Sequence, residues 1–117
     1  MDTKMKALLL RMMPYVQQHH YFDIVQTKFG LLQVYNPEGD GLCPELIPDY
    51  AALRDVLIHE IAGDVREKSG LQHLYVNLHP SEAEETARQV MSYLSDPEDL
   101  LALRRYLADN MRREEWG

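Results

Sequence analysis

Paired cysteines and long apolar runs are both missing from this 117-residue sequence, and Cys43 is its single thiol. One thiol cannot close an intramolecular disulfide, which excludes the stapled frameworks of small secreted domains and fits a reducing cytoplasm. The apolar stretch behind Lys4 and Lys6, from Ala7 to Leu10, ends at Arg11 after four residues. That is too short for the core of a signal peptide or for a membrane span. Positive charge is also scarce: 12 Lys and Arg stand against 19 Asp and Glu, a net charge of -7. A chain so charged is repelled by polyphosphates and anionic bilayers, which disfavours nucleic acid and excludes a membrane surface as partners. No glycine-rich phosphate loop occurs, and no two glycines have the spacing of a dinucleotide fingerprint after a strand.

What is present is a composition of 45% hydrophobic and 26% charged residues, the balance of a soluble globular chain. A domain of this length buries roughly two-thirds of its unfolded surface, enough for a core without metal or disulfide. Residues 1–117 therefore read as a single domain. The charge is uneven along it, since Glu38 to Glu67 holds eight acids against Arg54 and Arg66.

Met5, Leu8, Leu9, Met12 and Val16 recur at helical spacing, with Pro14 expected to kink or break that helix before His19 and His20. Between Tyr21 and Tyr35 the residues become β-branched and aromatic around Thr27-Lys28-Phe29-Gly30, a hairpin signal in which Gly30 can take positive φ. Phe22, Ile24 and Gln26 share one face of the first strand, and Leu32 and Val34 share one face of the second. Asn36 to Gly41 is a turn or loop, and Leu42 to Leu46 reads as a short third strand, at an edge because Pro44 lacks a ladder donor.

Asp49 is the expected N-cap of a long helix with Leu53, Leu57, Ile61 and Val65 every fourth residue, closing at Ser69-Gly70. Leu71 to Leu78 alternates as a half-buried strand would. Ser81 and Glu84 form a capping box before Ala83, Ala87, Val90, Met91 and Leu94. Asp96 caps a last helix with Pro97 in its first position, followed by Leu100, Leu103, Leu107 and Met111. The expected fold is α+β: a small, mainly antiparallel sheet packed against about four helices, in the order α-β-β-(β)-α-β-α-α.

Metal constellations fail on spacing, and no catalytic one finds positive support; spacing alone does not dismiss a pair of acids that meet in space. His73 and His79 on one strand would lie about 20 Å apart, beyond the reach of one ion. His59-Glu60 begins like a zinc-protease helix, but Gly63 stands where its second histidine belongs; on the helical wheel His59 sits opposite the apolar stripe, beside Asp55 and Arg66. Asn36, Glu38, Asp40 and Gly41 imitate half a calcium loop, whose twelfth position here is Ile47 instead of glutamate. Cys43 lies between Leu42 and Pro44 with no helix start or elbow to activate it. No metal, cofactor or catalytic residue is therefore expected.

Two groups of residues are candidates for contact. Arg104, Arg105, Arg112 and Arg113 with Trp116 gather near the C-terminus, where Asp109 stands four residues from both Arg105 and Arg113 and can pair with them. His73, Tyr75 and Asn77 would share the exposed face of the Leu71 to Leu78 strand and could hold a small ligand. Seven tyrosines and Trp116 also exceed what a small core can bury, and such residues often line interfaces.

Pro14-Tyr15-Val16-Gln17-Gln18-His19, Phe22-Asp23-Ile24-Val25, Lys28-Phe29-Gly30 and Glu60-Ile61-Ala62-Gly63-Asp64-Val65-Arg66 resemble segments of small uncharacterised proteins encoded on bacterial conjugative transposons. The resemblance spans about half the chain. It implies a cytosolic accessory protein of a mobile element and carries over no catalytic residue. The expected function is accordingly a non-enzymatic one: contact with a protein partner or with itself, through apolar helix surface and the acidic middle helix. The alternatives are a nucleic-acid-associated regulator using the C-terminal arginines, or a small-ligand binder or enzyme built on the Leu71 to Leu78 strand.

Overall fold

The computed structural model describes residues 2–19, 22–35, 44–70 and 77–111. They form α1 (Thr3–Gln17), β1 (Phe22–Thr27), β2 (Gly30–Tyr35), β3 (Glu45–Ile47), α2 (Tyr50–Lys68), α3 (Pro80–Val90) and α4 (Pro97–Asn110). The class is α+β, with four helices and one antiparallel sheet in the strand order β1-β2-β3. The expected strand at Leu71 to Leu78 lies mostly outside the described residues. Its last residue, Leu78, forms a parallel bridge with Met111, and its amide donates to the Asn110 carbonyl at 2.6 Å. The Asn36 to Gly41 loop, Leu42 and Cys43 also lie outside the described residues.

The chain divides into two units, residues 1–54 and 55–117, with the boundary inside α2. In the first unit Asp2 caps α1, its Oδ1 accepting from the Met5 amide at 2.7 Å. Met5, Leu8, Met12, Tyr15 and Val16 are the buried side of α1, which lies against β1. Of the expected kink or break at Pro14, the break does not occur: the helix runs through Pro14 to Gln17. Proline removes one backbone donor and crowds one turn, and the buried residues on either side, Met12 and Val16, hold the helix across it. Past the helix end, His19 Nδ1 lies 2.9 Å from the Tyr15 carbonyl oxygen; because a carbonyl only accepts, Nδ1 carries the proton. The His19 ring sits between Tyr15, 4.3 Å away, and Phe22, 5.1 Å away, and so joins the end of α1 to the start of β1.

The hairpin register pairs Phe22 with Tyr35, Ile24 with Gln33 and Gln26 with Leu31, and β3 adds Ile47 beside Leu31. Directly paired residues point the same way, so one face holds Phe22, Ile24, Leu31, Gln33 and Ile47, all buried. Leu32 and Val34 do share a face, but it is the opposite one. The two-residue turn sets this: it pairs even-numbered residues of β1 with odd-numbered residues of β2. Gly30 has φ +120°, backbone that other residues rarely adopt. β3 is an edge strand as expected, and starts just after Pro44, one residue from Leu46 to Ile47 beyond the anticipated end.

Asp49 caps α2, Oδ1 accepting from the Ala52 amide at 2.9 Å, and Leu53, Leu57, Ile58, Ile61, Ala62 and Val65 are buried along it. Past its end Gly70 takes φ +75°. In the second unit Ala62, Leu78 and Ala83 form a core cluster against which Tyr106, Leu107 and Met111 pack. The start of α3 differs from expectation: Pro80 is its first residue, and the Glu82 carboxylate, not that of Glu84, reaches back to the His79 amide at 2.8 Å. Proline suits the first helical position because its missing N–H would be unpaired there anyway. The helix ends at Val90, leaving Met91 exposed, while Leu94 is buried as expected. α4 begins at Pro97 after Asp96, with Asp99 and Leu103 buried.

Candidate functional site

Few of the residues singled out from sequence come together. Arg104 and Arg105 are exposed on α4, and among the described residues no ion pair joins Arg105 to Asp109. Arg112, Arg113, Trp116, His73 and Tyr75 lie outside the described residues, and Asn77 is exposed just before Leu78. No group of three His, Cys, Asp or Glu side chains that could hold a metal ion occurs among the described residues.

His59 is exposed, as its place on the helical wheel requires, but it is engaged. Its Nδ1 lies 3.1 Å from the Tyr106 hydroxyl and the two rings meet edge to face at 6.2 Å, linking α2 to α4. Burial holds the Tyr106 hydroxyl above the ordinary tyrosine range; Arg66 opposes that shift and Glu60 adds to it. The hydroxyl stays protonated and shares one hydrogen bond with the imidazole, and the pair joins the two helices.

The outer face of the sheet is the most distinctive surface. Val25, Leu32 and Leu46 stand side by side across the three strands, one row of a face that also carries Asp23 and Val34. Val25 is 40% exposed and Leu46 59%. At the hairpin tip Phe29 is 83% exposed. The tip is held by two hydrogen bonds: Thr27 Oγ1 accepts from the Phe29 amide at 3.1 Å and donates to the Gly30 carbonyl at 2.9 Å. Leu46 leans toward the tip, its Cδ1 3.7 Å from where a Gly30 side chain would begin. Large apolar side chains gathered on one exposed face mark contact surfaces more often than scattered ones do.

Both edges of this sheet carry features that hinder pairing with a further strand. β3 is three residues long between Pro44 and Pro48, which have no amide to offer. On β1 the Ile24 amide donates to Oδ1 of Asp23 at 2.8 Å, so a side chain of the same strand occupies a backbone donor. The sequence did not reveal this surface, because apolar residues stand on both faces of the second strand and only the pairing register places Val25, Leu32 and Leu46 on one outward row.

Comparison with family models, with curated proteins and with solved structures returned no match. Among the described residues no helix is long and apolar enough to cross a membrane.

Proposed function

We propose that this protein is a non-enzymatic interaction module that binds a protein surface through the outer face of its sheet. The observation that carries the reading is the apolar row of exposed Val25, half-buried Leu32 and exposed Leu46, beside a hydrogen-bonded tip bearing exposed Phe29, on a sheet whose edges disfavour an added strand. Burying such a row stabilises a complex by roughly 25 cal/mol per Å² of apolar area, less the cost of association. A hydrogen-bonded turn lowers that cost, since the backbone that carries Phe29 is already held before binding. This reading puts the contact on the sheet, in addition to the helix surface and acidic helix α2 to which the sequence points. The segments that resemble conjugative-transposon proteins support a role as an accessory protein of a mobile element, acting in the cytoplasm.

A photo-crosslinking residue placed at Leu46 in the producing cells tests this, with the exposed Glu84 position on α3 as control. The expected result is a discrete protein adduct from position 46 and none from position 84. Uncrosslinked monomer at position 46, repeated at position 25, overturns the reading.

A further inference from the structure

Resting on that reading of the outer face, we infer that its occupant is a second copy of the same chain, the two sheets stacked face to face across a two-fold axis. The occupied Ile24 amide on one edge and the short, proline-flanked β3 on the other disfavour the usual way in which sheets join, strand beside strand. Stacking of faces about 10 Å apart is the favoured alternative.

The register makes the face complementary to itself. Three rows cross it: Asp23 with Val34; Val25 with Leu32 and Leu46; Thr27 with Gly30. A two-fold axis along the middle row lays that row on its own copy and reverses the strands. The Asp23 and Val34 row then faces the Thr27 and Gly30 row of the second copy. Val34 meets Gly30, which has no side chain of its own, beside the Leu46 side chain that leans toward it. Asp23 meets the end that carries Lys28, and the same pair recurs on the other side of the axis, as a symmetric contact requires.

Charge favours this occupant. The acidic excess lies between Glu38 and Glu67, whereas the outer face and its turn present one acid, Asp23, and one base, Lys28. Among the described residues neither forms an ion pair within its own chain. Opposite charges at opposite ends of one face repel nothing when that face meets itself in the antiparallel sense, and fix its register.

Sedimentation equilibrium of the full chain at about 100 µM tests the inference. The expected mass is twice 13.6 kDa. Leu46→Asp gives a folded monomer by circular dichroism. Asp23→Lys and Lys28→Asp each weaken the dimer about tenfold, and the double reversal restores it to within about threefold of the original affinity. Should Leu46→Asp fail to fold, the exposed Lys28→Asp and its rescue still decide the matter. A dimer indifferent to these substitutions, or a double reversal that fails to rescue, overturns the inference. A wild-type monomer also overturns it: with adducts to a different protein at position 46 the interaction reading stands, and with none both fall.

Discussion

Asp23 Oδ1 accepts a hydrogen bond from the amide of Ile24, the next residue, at 2.8 Å on the edge strand of the sheet. An edge amide without such a partner is a template for another chain, and here the strand supplies its own blocker. Asp23→Ala removes the acceptor and is expected to speed exchange of the Ile24 amide about tenfold while costing about 1 kcal/mol of stability. Asp23→Asn retains an acceptor oxygen and stays near wild type. Equal exchange rates in all three proteins, read by NMR, would show that the carboxylate does not guard the edge.

The hairpin tip depends on one hydroxyl. Thr27 Oγ1 both accepts from Phe29 and donates to Gly30, so Thr27→Val, which keeps the shape, removes two hydrogen bonds at once. The expected loss is about 1 kcal/mol in urea unfolding, limited by the exposure of the turn. Gly30→Ala forces an alanine to φ +120° and is expected to cost about 1–2 kcal/mol, although the space there accepts a methyl group. A Gly30→Ala protein as stable as wild type would mean that the turn relaxes to another type.

How much of this was legible in the sequence depends on whether one residue or a distant one decides. Asp49 and Gly70 bound α2 through local chemistry, and Gly30 marks the turn by its own backbone, so all three could be read directly. The start of α3 could not. Ser81 with Glu84 and His79 with Glu82 have the same spacing, and what separates them is Ser69, thirteen residues before Glu82, which takes the other carboxylate oxygen. The contact face was hidden for a similar reason: both faces of Leu31-Leu32-Gln33-Val34 carry apolar residues, and only pairing across the turn assigns Leu31 and Gln33 inward. A glutamine on the buried side is the reverse of what alternation alone suggests.

Glu82 is 2% exposed, and both of its carboxyl oxygens are engaged, Oε1 by the His79 amide at 2.8 Å and Oε2 by the Ser69 hydroxyl at 2.5 Å. Glu82→Ala leaves a backbone donor and a hydroxyl without this partner and opens space at a buried site, an expected loss of about 3 kcal/mol. Glu82→Gln fares better. Ser69 has one hydroxyl hydrogen for two acceptors, Glu82 and the Arg66 carbonyl 3.0 Å away. A glutamine amide can donate to the Ser69 oxygen and free that hydrogen for Arg66. Chemical denaturation ranks the variants; Gln falling as far as Ala would sink this account of the site.

On α3 a carboxylate titrates far from its ordinary range. Arg88 donates to both oxygens of Glu85, through Nε at 2.9 Å and through Nη2, and Gln89 Nε2 adds a bond at 3.0 Å. These donors favour the charged form, Arg88 most and Gln89 next, and hold the Glu85 carboxyl at about 2, against 4.5 ordinarily. Because the folded value lies below the unfolded one, the pairing stabilises the native state fully above pH 4.5. Its contribution is lost as the pH falls from there towards about 2. Arg88→Ala is expected to move the Glu85 midpoint up towards 4.5 and to flatten this part of the stability profile. Carboxyl titration by NMR reads the midpoint directly, and one that stays near 2 in Arg88→Ala would assign the shift to a group other than the arginine.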